Sequence, residues 1–415
     1  MDKVVLSSII DLISGGTPKT SHPEYWENGN IGWLSVNDFN NNDRFVYDSE
    51  KKITQEGVKN SSTKYLECGD IIISARGTVG ALAQIGTPMC FNQSCFGIRA
   101  KKDKTTNDYL YYALKNYVKN IQRKGQGSVF NTINLASFDL MEIEIPKDVT
   151  EQQKIASVLS SLDKKIELNN KINKELEAIA KTLYDYWFVQ FDFPDNNGKP
   201  YKSSGGAMVY NEELKREIPD GWEVANLKNN PLTKILKPKI DNFEGNKIYL
   251  ATADIQNKNI NFNAEIISYD NRPSRANMQP IANSIWFAKM KNSKKILLLS
   301  DYSEIFLNNY ILSTGFMGLE CKKEALEYLW GFVDNDYFET IKDKLANGAT
   351  QEAINNDDLV FIKLLIPSDN VLKKYHLQMK SIYQKIYNNQ IQNQELSTLR
   401  DWLLPMLMNG QVKVK

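Results

Sequence analysis

The feature that most restricts this chain is that it says nearly the same thing twice. Gly127-Ser128-Val129-Phe130-Asn131-Thr132-Ile133-Asn134 leads to the alternating run Leu140 to Ile145 and then Pro146. Gly348-Ala349-Thr350-Gln351-Glu352-Ala353-Ile354-Asn355 leads to Val360 to Ile366 and then Pro367. Glycine, Ile-Asn and proline fall in step at a spacing of about 220 residues, far too long for a solenoid repeat. A chain of 415 residues holds two or three domains at roughly 100–200 residues each, so the period predicts two homologous halves. Each alternating run reads as a strand ended by proline.

A long helical pattern follows each proline. Ile155, Leu159, Leu162 and Ile166 step by four and three, and Ile172, Leu176, Ile179 and Leu183 repeat the step. In the second half Leu372, Tyr375, Met379, Ile382 and Ile386 do the same, followed by Leu396, Leu399 and Leu403. An asparagine pair stands near each middle, Asn169-Asn170 and Asn388-Asn389. A helix packed on its own domain needs about 12 residues, whereas these run for about 35. The pattern predicts that the two helices pair, with Ile155, Leu162, Ile166, Leu176, Leu183, Met379, Ile386, Leu396 and Leu403 in the seam and asparagines interrupting it. The alternative is that each helix packs separately on its own half.

The earlier part of each half is strand-rich. Gly69-Asp70-Ile71-Ile72-Ile73-Ser74 reads as a turn feeding a buried strand, and Asn283-Ser284-Ile285-Trp286-Phe287-Ala288 holds the same place in the second half. One amphipathic helix follows in each, with Leu110, Leu114, Tyr117, Val118 and Ile121 on one face in the first and Leu326, Leu329, Phe332 and Val333 in the second. The expected class is α+β: two mixed α/β globules separated by two long antiparallel coiled-coil helices in a pseudo-two-fold repeat. The segments are a globule at 1–148, a helix at 149–190, a turn-rich linker at 191–217, a globule at 218–368 and a helix at 369–410.

Several kinds of chemistry are hard to place here. His22 and His376 are the only histidines, which leaves no room for a Ser–His–Asp triad or a Cys/His zinc cluster. There is no G-x-x-x-x-G-K-[ST] loop and no G-x-G-x-x-G turn. Asn229-Asn230-Pro231-Leu232 is faintly similar to the Asn-Pro-Pro-aromatic motif of amino-methyltransferases, but it lacks the second proline and the aromatic. Cys68, Cys90, Cys95 and Cys321 form no C-x-x-C pair and read as buried, reduced thiols of a cytoplasmic protein. The longest apolar runs, such as Ile296 to Leu299, fall far short of a bilayer span, and Met1-Asp2-Lys3-Val4 opens no signal peptide. The net charge is +1, so any nucleic-acid contact must concentrate positive charge on one face.

In their order and spacing, a series of phrases resembles the specificity subunits of type I restriction–modification systems over essentially the whole chain. They are Ser14-Gly15-Gly16-Thr17-Pro18, Pro23-Glu24-Tyr25-Trp26 and Ile31-Gly32-Trp33-Leu34-Ser35, then Gly69 to Ser74 with Ala75-Arg76-Gly77-Thr78-Val79-Gly80, and Asn92-Gln93-Ser94. Glu151-Gln152-Gln153-Lys154-Ile155-Ala156, Trp187-Phe188-Val189-Gln190-Phe191-Asp192-Phe193, Asn197-Gly198-Lys199-Pro200-Tyr201, Ser203-Ser204-Gly205-Gly206 and Ile218-Pro219-Asp220-Gly221-Trp222-Glu223 continue the series. The resemblance implies that each globule is a target-recognition domain reading one part of a split site in double-stranded DNA. It implies helices that set the spacing and dock two modification subunits, with two restriction/translocase subunits outside. S-adenosylmethionine, ATP and Mg are then expected on those partners, with no cofactor and no catalysis on this chain. The second globule departs from the pattern, with Met290-Lys291-Asn292 where the first has Arg76-Gly77-Thr78. Two other readings stay open: a methyltransferase or nuclease carrying its own recognition domains, and a coiled-coil scaffold that binds no DNA.

The residues expected at DNA follow from side-chain chemistry. Arg76 and Thr78 stand in a turn after a strand, and arginine donates two hydrogen bonds to guanine or pairs with phosphate. Arg123, Lys124, Gln126 and Ser128 lie in a basic, glycine-rich loop, where an amide reads adenine and a lysine holds phosphate. Arg272, Arg275, Lys289, Lys291 and Lys294, with Lys295, concentrate charge in the second half. The bland alternative for each is a solvated face or a structural ion pair.

Overall fold

A computed structural model describes residues 1–41, 43–123, 132–260, 264–348 and 352–414. The chain divides into two compact units, Met1–Asn169 with Gln392–Lys415, and Asn170–Ile391. Each unit therefore contains one strand-rich globule and a portion of both long helices, Val149–Tyr184 and Asp369–Met408.

In the first unit Asp2–Val5 pairs antiparallel with Glu142–Ile145, the strand just before the first long helix. A five-stranded sheet runs in the order Ile10–Ser14, Cys95–Ala100, Ile71–Ser74, Leu82–Ile85, Phe45–Val46. A second sheet pairs Ile31–Leu34 antiparallel with Lys52–Ile53 and parallel with Cys90–Phe91. The helix Asn107–Arg123 covers the larger sheet with buried Tyr109, Leu110, Tyr112 and Leu114, in one core with Ile71, Ile73 and Ile98.

The second unit repeats this plan. Glu223–Asn226 pairs with Lys363–Ile366 before the second long helix. Thr233–Ile235, Phe316–Cys321, Ser284–Ala288 and Ile296–Leu299 form a sheet in the order of their counterparts. Lys247–Leu250 pairs antiparallel with Glu265–Ile267 and parallel with Tyr310–Ser313, as Ile31–Leu34 does with its two neighbours. The repetition reaches single residues. Gly97 lies opposite Ile72 and Gly318 opposite Trp286. A Cβ on Gly97 would sit 2.3 Å from Leu66 Cδ2, and one on Gly318 would sit 2.5 Å from the Trp286 ring, so both sheets need a residue without a side chain there. Gly69 and Asn283 open equivalent strands with φ of +89° and +55°, a conformation that glycine and asparagine accept.

The alternating runs are shorter than their patterns suggest. Leu140 ends a helix, Leu135–Leu140, and Val360 and Phe361 belong to a 3₁₀ turn, Asp358–Phe361. Side-chain bonds to the backbone decide this: Asn134 caps its helix, Oδ1 accepting from Ser137 N–H at 3.0 Å, while Asp358 Oδ2 accepts from Asn355 N–H at 2.7 Å and Asn355 Oδ1 from Asp357 N–H at 2.8 Å. The segment read as a turn-rich linker is packed. Phe193 stacks on Tyr201 and Trp222 with ring centroids 4.6 and 5.1 Å apart, and Met208–Asn211 pairs with Arg216–Pro219 as a hairpin.

Within each unit the helix portions run antiparallel, since rising numbers on one meet falling numbers on the other. In the first unit Asp163 meets Arg400 at 2.7 Å, and Asn169 donates to Gln392 at 2.8 Å and Asn393 at 2.9 Å. In the second unit Asn389 donates to Asn173 at 2.8 Å, while Trp187, just past the end of the first helix, packs on Tyr375 near the start of the second with ring centroids 5.2 Å apart. Ile155, Met379 and Ile386 are buried; Leu162, Ile166, Leu176, Leu183, Leu396 and Leu403 are half-buried. Ile179 and Leu399, members of the two apolar stripes, are exposed at 48% and 43%, and their neighbours Ala180 and Arg400 turn inward instead. A 3.6-residue turn drifts against a four-and-three stripe, which moves the inward position by one residue. Each unit buries a polar residue between its helix portions: Asn169 in the first is 1% exposed and Asn389 in the second 2%.

Candidate nucleic-acid interface

In the first unit the fully buried strand Ile71–Ser74 runs out into solvent at Arg76, Gly77 and Thr78. Ser74 holds the turn from beneath: its hydroxyl donates to the Thr78 carbonyl and accepts from Ala81 N–H at 2.8 Å. Gly80 N–H closes the turn onto the Ser74 carbonyl at 3.0 Å. Gly77 and Gly80 have φ of +74° and +87°, and a Cβ on Gly80 would fall 2.9 Å from Val118.

Backbone bonds bring the other phrases to the same edge. Ala75 N–H donates to the Ser94 carbonyl at 2.8 Å, and Ile133 N–H to the Ala75 carbonyl at 2.9 Å. Thr17 donates to the Gln93 side chain, and Gly16 N–H to the Phe91 carbonyl at 3.0 Å. A Cβ on Gly15 would lie 2.1 Å from the Asn92 carbonyl oxygen, and one on Gly16 2.2 Å from the Ser62 hydroxyl. The paired glycines thus let one turn lie directly on another. A shallow open groove there is lined by Gln93, Asn134 and the exposed Leu135. Amides that bond adenine edges and an apolar group that meets a thymine methyl suit base reading. Sequence reasoning does not single out Gln93, Asn134 or Leu135 as contacts; Gln93 stands in a phrase of the family resemblance and Asn134 in the repeated one, while no motif marks Leu135.

The second unit builds the same scaffold with other side chains. Lys289 N–H donates to the Gly315 carbonyl and Ile354 N–H to the Lys289 carbonyl, both at 3.0 Å, which are the two bonds that fix Ala75. Met290-Lys291-Asn292 therefore holds the place of Arg76-Gly77-Thr78. Arg275 lies alongside, its carbonyl accepting from Thr314 N–H at 2.8 Å. Burial, and then the charge of Arg275, push the half-buried Lys289 ammonium below its ordinary pKa. Among the described residues no side chain bonds to Lys289. Two neighbouring cations whose side chains have no hydrogen-bond or ion-pair partner among the described residues have the chemistry that suits a phosphate.

The other basic candidates are more committed. Lys291 pairs with Glu352 at 2.8 Å. Lys294 donates to the Asp334 carbonyl at 2.7 Å and lies 3.5 Å from the Asp334 and Asp336 carboxylates. Lys295 donates to the Thr252 carbonyl at 2.6 Å. Arg272 lies 4.1 Å over the Tyr269 ring. Lys124, Gln126 and Ser128, and the side chain of Arg123, lie outside the described residues.

Groups that suggest catalysis elsewhere are structural here. His22 bonds to Glu24 at 2.8 Å and the buried His376 to Glu327 at 2.6 Å. Asn230 spends its amide on the turn around it, donating to Thr233 Oγ1 at 2.8 Å and accepting from Leu232 N–H at 2.8 Å. Cys90, Cys95 and Cys321 are buried thiols, the first two pushed up to about 11 and about 12 by burial, while Cys68 is exposed because it lies in the turn before Gly69. Among the described residues no three His, Cys, Asp or Glu side chains gather as a metal site. No helix among them is long and apolar enough to cross a membrane.

Residues 1–178 match the model of the type I restriction modification DNA specificity domain. The chain is 30% identical to the type I restriction enzyme MjaIX specificity subunit of Methanocaldococcus jannaschii, over 99% of its own length and 93% of that protein. It is 23% identical to the HindI specificity subunit of Haemophilus influenzae, over 71% of this chain and 74% of that one. The crystal structure of a type I restriction–modification S subunit from M. genitalium shares the fold, with a TM-score of 0.52 at 16% identity, covering 98% of this chain and 95% of the other.

Proposed function

Because the chain belongs to the family of type I restriction–modification specificity subunits, we propose that its two units each read one part of a bipartite site in double-stranded DNA. It is the DNA-recognition component of such a system and not its catalytic component. One observation carries the bipartite reading. The same strand order and the same backbone bonds present an exposed turn in each unit, and the side chains on the two turns differ. A common scaffold with unlike reading residues is what two different half-sites require.

The helices supply the spacing. At 1.5 Å per residue, 36 and 40 helical residues extend for roughly 50–60 Å. That corresponds to about 15–18 base pairs at 3.4 Å each. The helices also offer surface to partners. Leu168, Leu399 and Trp402 in the first unit are 50%, 43% and 57% exposed, and Ile179 and Leu377 in the second are 48% and 68% exposed. Large apolar side chains left on helices in this way suit protein contacts. Two modification subunits take these surfaces and two restriction/translocase subunits add outside, in the cytoplasm. S-adenosylmethionine, ATP and Mg belong to those partners.

Exchanging residues 1–146 for the corresponding globule of a relative tests the reading. Methylated motifs mapped in a host carrying the partner subunits should change in one half-site only. A change in both parts would refute two independent readers.

A further inference from the structure

In the first unit a buried carboxylate ties the recognition globule to both long helices. Asp163, on the first helix, accepts from Arg400 Nη1 on the second at 2.7 Å and from the Tyr112 hydroxyl on the helix Asn107–Arg123. Tyr112 in turn accepts from Arg44 Nη1 at 3.1 Å, and Arg44 Nε donates to Gln84 on the central sheet at 2.6 Å. The Arg44 guanidinium lies 5.1 Å over the Tyr112 ring. An unbroken chain of polar contacts thus runs from the sheet, through the covering helix, to both long helices. Arg44, Asp163 and Arg400 are 6%, 6% and 9% exposed.

Stability does not call for such an arrangement. A buried ion pair replaced by apolar groups of like volume is often neutral or stabilising, and its best-attested use is to fix a register. The other polar contacts between globule and helices each reach one long helix only: Tyr47 with Glu167, Thr105 with Gln152 at 2.7 Å, and Lys119 with Asp401 at 3.4 Å. The apolar part, with Leu159 and Leu404 in one cluster, is held by non-directional burial. A carboxylate with two assigned donors is directional, because those bonds weaken steeply with distance and angle.

We propose that Tyr112, Asp163 and Arg400 are positioning residues that set how the first recognition globule is seated on the helices, and thereby the length of DNA gap accepted between the two half-sites. The inference rests on the bipartite reading. It concerns the gap and not the bases, since none of the three belongs to the exposed turn of Arg76 and Thr78.

The test uses the complex assembled with its partner subunits in a host, with methylated sites read by long-read sequencing. The triple variant Tyr112→Phe, Asp163→Leu, Arg400→Met removes the chain of contacts and leaves volume in place. It should methylate the same bases in each half. Methylation at sites whose gap is one base pair shorter or longer should rise about tenfold, the size expected for loss of an ordinary coupling. Tyr112→Phe alone removes one donor and should broaden the gap in the same direction, less strongly. A single unchanged gap in an active variant overturns the proposal, and so does loss of methylation by both variants, since the contacts would then do more than position. A wild-type motif without a gap would refute the bipartite reading itself.

Discussion

Under the proposed reading, Arg76 and Lys289 make two different kinds of DNA contact from equivalent places in the two units. Arg76 is exposed at a turn with its guanidinium available to a base, whereas Lys289 is a half-buried cation pressed by Arg275. Arg76→Ala should therefore relax preference at one base of one half-site, at about 1–3 kcal/mol. Lys289→Ala should weaken binding to all sequences alike and lower the salt slope by about one. Affinity titrations of the assembled complex over several salt concentrations separate the two. Lys115 makes a different prediction. Burial, and then Arg400, bring its ammonium down to about 8 from 10.5, with Tyr111 Oη 3.4 Å away. Below about pH 8 the proton is held in a place that disfavours it. Between about 8 and 10.5 the unfolded chain binds more protons than the folded one, so stability rises with pH in that window. Lys115→Met should stabilise the protein at neutral pH by about 1–2 kcal/mol, after allowance for partial exposure. Its advantage should shrink as pH passes 8 towards 10.5, and denaturant melts across that range check the sign.

At the scale of elements the long helices matter most, and their apolar stripes were readable because helical periodicity is local information. Their pairing partners were not. Asn169 meets Gln392 and Asn393 rather than the asparagine pair of the other helix, and it is Asn173 that meets Asn389. Periodicity reports which face is apolar but not the axial offset between two helices, and that offset decides which polar groups face each other. The ruler role gives a direct prediction. Four residues inserted beside Asn169-Asn170 add about 6 Å and roughly one turn. The gap should lengthen by about one or two base pairs at 3.4 Å each, with the same bases in each half. The extra rotation is only about 40° beyond a full turn, so much of the seam survives. An unchanged gap in an active insertion variant, seen in its methylated motif, would remove the helices as the ruler.

For the whole molecule, the purified chain is expected to neither methylate nor cleave DNA until modification and restriction subunits are added. Activity assays on the isolated chain with S-adenosylmethionine, ATP and Mg, repeated with those subunits present, check this. The sequence by itself determined that the chain is built twice, that each half is a strand-rich globule followed by a long helix, and to which family the phrases point. These properties are written in spacing and periodicity, which survive without knowledge of contacts. Only the tertiary structure decided what the conspicuous residues do. Lys291, Lys294 and Lys295 read as one basic cluster, yet each finds its own acidic or carbonyl partner; Lys289 does not, among the described residues. The turns at Leu140 and Phe361 were settled by the side-chain-to-backbone bonds of Asn134 and Asp358 rather than by alternation. The edge that gathers Thr17, Arg76, Gln93 and Asn134 is legible in no single stretch. A charge or an amide acts through whatever stands opposite it, and that neighbour comes from a distant part of the chain that only folding brings near.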